Sequence, residues 1–184
     1  MNEGPRFVHR IDGDDGITFV NRDWLDFAAA NDASHLTEKT VLGRCLWEFI
    51  SDETTVHLYQ ALAKQVRDTL VAVEVPYRCD APGTTRGMRM KISPRLDNGL
   101  EFASVIETLV DREPVQILSA LIFRTEEHLR MCSWCKAVHT EDGWQATEKA
   151  VDTLGLFRTP RLPAITHAIC ESCRGQLERD ILRL

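Results

Sequence analysis

Four of the six cysteines in this 184-residue chain fall in two Cys-x-x-Cys pairs, Cys132/Cys135 and Cys170/Cys173. No other feature constrains the fold as strongly. A Cys-x-x-Cys turn presents two sulfurs from one tight loop, and two such turns supply the four soft ligands of a closed tetrahedral zinc site. The pairs are separated by 34 residues, more than the commonest ribbon spacing, so the intervening helix is read as an insertion. A cage with all four positions filled is a scaffold and not a zinc catalyst. The rival readings are a thiol–disulfide redox protein using the Cys-x-x-Cys pairs, an iron–sulfur cluster, or buried unlinked thiols. A dithiol redox motif usually accompanies a βαβ pattern, and none is visible. His139 and His167 lie close to the knuckles. With four cysteines available, they are expected beside the cage as hydrogen-bond partners or at the surface.

A disulfide framework would need an oxidising compartment. The opening MNEGPRFVHRIDGDDG has no apolar stretch of the secretion-signal kind. Nowhere does the chain approach the roughly 18 consecutive apolar residues of a membrane span. A cytoplasmic, non-membrane protein with reduced thiols is expected. Residues 131–184 hold seven basic and seven acidic residues, so the net charge of −6 belongs to residues 1–130. Phosphate recognition needs clustered positive charge, and neither part has a basic excess, so nucleic acid is not an expected partner.

Hydrophobic periodicity lays out the first part of the chain. Ile17–Val20 reads as a short strand, followed by a helix capped by Asn21 or Asp23 and reaching Ala30, with Trp24, Phe27 and Ala28 on one stripe. A further turn or two is expected near 36–42, stopped by Gly43. Residues 52–69 read as a longer helix with the stripe Leu58, Tyr59, Leu62 and Val66. Three alternating runs follow, at 71–80, 87–93 and 100–110, joined by turns around Pro82–Gly83 and Asp97–Gly99. They predict an antiparallel meander with one covered face. From Pro114 a linker helix is predicted, with the stripe Leu118, Leu121, Ile122 and Leu129. Beyond the first knuckle, a helix over 144–154, a Pro-bearing loop over 158–168 and a final helix from Glu171 are expected.

The order strand, short helices, longer helix, three-stranded meander resembles a PAS domain over roughly residues 5–110. ITFVN before the first helix, VLGR at 41–44 before LWEFI, and the three alternating strands carry the likeness. The tail MCSWCKAVHTEDGW…THAICESC, with Lys136, Trp144 and His167 at comparable places, is similar to zinc-ribbon-like endings of some bacterial sensory proteins. Together they imply an α+β chain: a PAS-like antiparallel sheet with flanking helices (1–111), a helical linker (112–130) and a small four-cysteine zinc module (131–184). They also imply a non-enzymatic sensor that binds a ligand or a partner. The partner would be another signalling protein, or a second copy paired along the exposed apolar face of the linker helix.

PAS-like folds often hold a small molecule between sheet and helices. The inward-facing residues to examine are Tyr77, Cys79, Met88, Met90, Phe102 and Ser104. The alternative is that they are ordinary core, with Cys79 a small buried hydrophobe. A haem bound by His57 would need that residue to face inward, and the helical wheel points it away from the apolar stripe. No phosphate-cradling glycine loop, catalytic triad or flavin-reactive cysteine motif is present, and GDDG at 13–16 reads as an acidic turn.

Overall fold

The computed structural model describes residues 4–50, 52–119, 122–156 and 161–182. Five strands build the first sheet: β1 (Arg6–Ile11), β2 (Ile17–Val20), β3 (Val73–Arg78), β4 (Thr84–Pro94) and β5 (Leu100–Asp111). Their order is β2-β1-β5-β4-β3, and every neighbouring pair is antiparallel. The helices α1 (Arg22–Ala30), α2 (Glu38–Val41) and α3 (Glu53–Thr69) all lie between β2 and β3 in the chain, with a 3-10 turn at Leu46–Phe49.

The period-2 runs explain which face is covered. Val73, Val75, Met90, Ile92, Leu100 and Phe102 point into one core with Leu58, Leu62, Ala63 and Val66 of α3. Asp52 caps α3 by accepting from the Thr55 backbone N–H at 2.8 Å. The acidic turn expected at 13–16 is pinned from α3. Arg67 donates to Asp15 at 2.8 Å, while the Trp47 indole donates to the other Asp15 oxygen at 2.6 Å. Strand β1 escaped the periodicity reading because His9 and two arginines dilute its inward set of Phe7, His9 and Ile11.

The second half departs from expectation. The linker helix predicted from Pro114 to Leu129 is a 3-10 turn at Gln116–Leu118 followed by strand β6 (Arg124–Cys132). Helix-forming Glu, Leu and Arg residues suggested otherwise, but pairing on both sides overrides weak local propensity. β6 runs antiparallel to β7 (Val138–Thr140) and parallel to β9 (Leu162–Ala168). With β8 (Gly143–Gln145), the second sheet has the order β8-β7-β6-β9. Part of the Pro-bearing loop is therefore a strand, while its residues 158–160 lie outside the described residues. The helix expected over 144–154 starts only at Thr147 (α4, Thr147–Thr153), with Trp144 on β8, and α5 spans Glu171–Leu182.

The apolar face proposed for pairing two linker helices does not exist. Leu118, Ile122 and Leu129 pack instead against a small buried cluster of Val115, Ile117, Val151 and Leu162; Leu121 lies outside the described residues. The expectation of no parallel strand pair near the knuckles is also overturned, since β6 and β9 run parallel with α4 between them in sequence.

The two halves share one core. Cys132, Trp134, Ile169, Cys170 and Leu177 belong to the same buried cluster as Leu62 and Phe102. An ion-pair seam runs alongside. The Asp80 carboxylate is fully buried between Arg78 and Arg112, and Arg112 also grips Glu148 on α4.

Asn21 is a local keystone. Its side-chain oxygen accepts from Trp24 N to cap α1 and from Val8 N, each at 3.0 Å, and its amide donates to Arg6 O at 2.7 Å. Replacing Asn21 with Ala removes a cap and two strand-to-helix bonds. Urea unfolding should show a loss of about 2 kcal/mol, and a loss within a few tenths would contradict this role.

Candidate functional site

The cysteine cage is assembled from two strand ends and one helix start. Cys132 is the last residue of β6, and the chain turns back at once: Lys136 N donates to Cys132 O at 3.0 Å and Cys132 N to Ala137 O at 2.7 Å. Lys136 takes a left-handed conformation (φ 63°) to make that turn, anchored by its ammonium on Ser133 O at 2.9 Å. Cys170 immediately precedes α5 and Cys173 lies in its first turn, so both sulfurs sit at the helix's positive end.

All four Sγ atoms lie within 4.8 Å of one another. Cys135 Sγ and Cys170 Sγ are 3.8 Å apart, the edge of a tetrahedron drawn with metal–sulfur bonds of about 2.3 Å. The donor set and its spacing fit a closed four-thiolate metal centre. Two backbone N–H groups point at sulfurs, Cys170 N at Cys132 Sγ (3.4 Å) and Cys173 N at Cys170 Sγ (3.5 Å). The first of these favours the anionic form of Cys132. Hydrogen bonds from the Cys135 and Cys173 side chains hold the Cys132 thiol far below its ordinary pKa. Those donors are pushed up in return, Cys135 to about 11 and Cys173 further. Cys132 and Cys170 are buried, whereas Cys135 and Cys173 are half-buried.

Neither rival histidine joins the cluster. His139 packs edge-on against Trp144 at 5.1 Å, and His167 is an exposed residue of β9. Cys45 is half-buried in a bridge opposite Gly16.

The first knuckle docks on the first sheet through its middle residue. Trp134 is 6% exposed. Its ring lies 5.3 Å from Tyr59 and 6.3 Å from Tyr77, and its indole N–H donates to Pro76 O at 2.6 Å. Its own carbonyl accepts from Arg78 N at 2.8 Å. β3 is an edge strand, so the knuckle satisfies backbone groups that would otherwise face solvent.

Behind those tyrosines, a cavity of about 180 Å³ lies between the sheet and the helices. Of the six residues singled out from sequence, Tyr77, Met88, Met90, Phe102 and Ser104 line it. The Tyr77 hydroxyl donates to Ser104 Oγ at 3.0 Å, a polar point in a mostly apolar wall. Cys79 does not reach this space. It lines a separate outer cleft with Trp134, Lys136 and His167, and burial pushes its thiol pKa up against the pull of Lys136 and Arg86. His57 is exposed on α3 and does not line the cavity, so it offers no axial ligand to a group held there.

Sequence reasoning passed over His9 and Trp134. His9 lines the cavity and stacks on Phe102 with centroids 4.7 Å apart and planes 5° from parallel. Burial pushes its pKa down to about 4. Its alternation with Phe7 and Ile11 was the available signal.

The first sheet, with α1–α3 inserted between β2 and β3, has the order of elements that the PAS resemblance implied. No family model and no curated protein sequence matches the chain. Among solved structures, a domain of an HTR-like protein from Haloarcula marismortui is 19% identical with a TM-score of 0.41. The likeness covers 57% of this chain and all of that one. The PAS domain of Bordetella pertussis BvgS is 15% identical with a TM-score of 0.37, over 56% of this chain and 73% of that one. A sensory box sensor histidine kinase from Vibrio cholerae is 10% identical with a TM-score of 0.33, over 60% of this chain and 83% of that one. No helix among the described residues is long and apolar enough to cross a membrane.

His9 gives the site a pH signature. Below its ordinary pKa of 6.5, the unfolded chain binds a proton that folded His9 refuses. Its contribution is therefore intact above that pH and is lost as pH falls toward 4, by up to about 3 kcal/mol. His9→Phe should flatten stability between pH 6.5 and 4 relative to wild type. Identical pH profiles for the two proteins would show that His9 is not held neutral.

Proposed function

We infer that this protein is a non-enzymatic sensory module whose PAS-like domain binds a small molecule, and whose four cysteines hold a structural zinc ion. The observation that carries the reading is the cavity of about 180 Å³ beneath the docked knuckle, with the Tyr77–Ser104 pair at its wall. Its size suits a ligand no larger than one or two small rings; a cavity of about 150 Å³ elsewhere accepts benzene. His9, Trp24 and Phe102 offer flat faces to stack on, and Ser104 and Tyr77 offer the hydrogen bond that would orient it.

Zinc suits the cage on three grounds: four sulfur donors, tetrahedral spacing and no open ligand position. A reducing cytoplasm would keep the thiols available, and zinc would contribute to folding outright. In this reading the chain divides as a sensory domain over 1–111, a connector over 112–130 and a metal module over 131–184. The output passes to another signalling protein or to a second copy of the chain. The alternative of thiol–disulfide exchange predicts two separable dithiols; gathering all four sulfurs in one cluster favours the metal.

Native mass spectrometry of the purified protein tests both parts together. One zinc ion per chain and a retained small molecule, or an added one such as indole, are expected. Cys132→Ser should lose the zinc and lower thermal stability, because a structural metal's binding energy is folding energy. Metal-free protein with freely titratable thiols would instead support redox chemistry.

A further inference from the structure

We propose that Trp134 is the backing of the cavity's wall, so that the metal cage controls access to the ligand site of the PAS-like domain. The inference rests on the cavity reading above and adds its regulation.

The geometry places three rings in series. Tyr59 and Tyr77 line the inner cavity. On their outer side, Trp134 contacts both rings. Two further clefts meet this wall from outside, of about 410 and 320 Å³, and Tyr77 and Trp134 line both. Tyr77 is common to the inner space and both clefts, with Ile50 and Tyr59 shared on one side and Met88 on the other, and Trp134 lies on the outer side of that boundary.

What holds Trp134 in place is the knuckle. It lies between Cys132 and Cys135, and both of those sulfurs belong to the cage. It is also anchored by two hydrogen bonds to the edge strand, through Pro76 O and Arg78 N, by the Ser133 N bond to Ala168 O at 2.8 Å, and by packing in the main core. Short turns with a left-handed residue such as Lys136 are costly alone and persist when neighbours fix them. The turn's own hydrogen bonds supply part of that constraint, and the sulfur cage supplies the rest by tying Cys132 and Cys135 to α5. When the cage is broken, the turn relaxes, the indole leaves the tyrosines, and the inner cavity joins the outer clefts. The cysteines would then set a ligand's rates of entry and exit without touching it.

The chain has only two tyrosines, Tyr59 and Tyr77, so tyrosine probes read this wall and nothing else. Protein labelled with fluorotyrosine should give two fluorine resonances, and the water-to-D2O isotope shift of each reports its exposure. In metal-loaded wild type both shifts should be small. In Trp134→Ala that still carries its metal, both should rise toward the value of free fluorotyrosine. Trp134→Phe keeps a ring against the tyrosines and should stay close to wild type. Removing the metal from wild type with a chelator should reproduce the Trp134→Ala shifts while circular dichroism of the first sheet is retained.

Tyrosines that stay shielded in metal-loaded Trp134→Ala, or in chelated wild type, would overturn the proposal. If Trp134→Ala fails to fold, the chelation arm alone decides. A parallel indole titration by saturation-transfer NMR separates the two ideas. Absent indole binding in every form counts against the ligand reading, whereas the isotope shifts judge the wall itself.

Discussion

The contact on which the rest depends is the seating of the Cys132–Cys135 knuckle on strand β3. An edge strand carries unpaired backbone groups and invites wrong pairing. Here the knuckle occupies that edge. Arg78 N and Pro76 O are both satisfied by Trp134, and Pro76 itself has no N–H to donate, which suits an edge position. The indole then joins the aromatic pair Tyr59 and Tyr77. Buried aromatic contacts of this kind add to the area they remove from water. The four-cysteine cluster is therefore an integral part of the first sheet's border, and its sulfurs share that sheet's buried core.

A second tie crosses the same border by charge. Asp80, fully buried, lies between Arg78 and Arg112, and Arg112 reaches Glu148. Buried ions are costly to leave unpaired, so removing one partner leaves the others stranded. The seam therefore favours one registration of the second half against the first. It also makes the halves respond together, because neither can shift without exposing an ion or an aromatic face. Coupling between the cavity and the cysteine cluster needs this kind of shared, discrete packing.

Much of this was legible in the chain. The two Cys-x-x-Cys pairs marked the cage, because ligand spacing is a local property. The alternation of Met88, Met90 and Ile92 and the stripe of Leu58, Leu62 and Val66 marked the sheet and its covering helix, since side-chain period reads directly as facing. The linker was not legible. Residues 124–132 are composed like a helix, and only pairing with β7 and β9 makes them a strand. β1 was missed for a related reason, as His9 interrupts an apolar pattern and joins the inner face by stacking on Phe102 of another strand.

The sequence by itself determined the two cysteine pairs, the covered faces and the α+β class, because these depend on residue types at short spacing. Tertiary structure alone decided that Trp134 would meet Tyr59 and Tyr77, residues 75 and 57 positions away in the chain. It also decided that Cys79 would face an outer cleft instead of the cavity. Both are contacts between segments with no local relationship, and no period or motif encodes which distant surface a side chain will find.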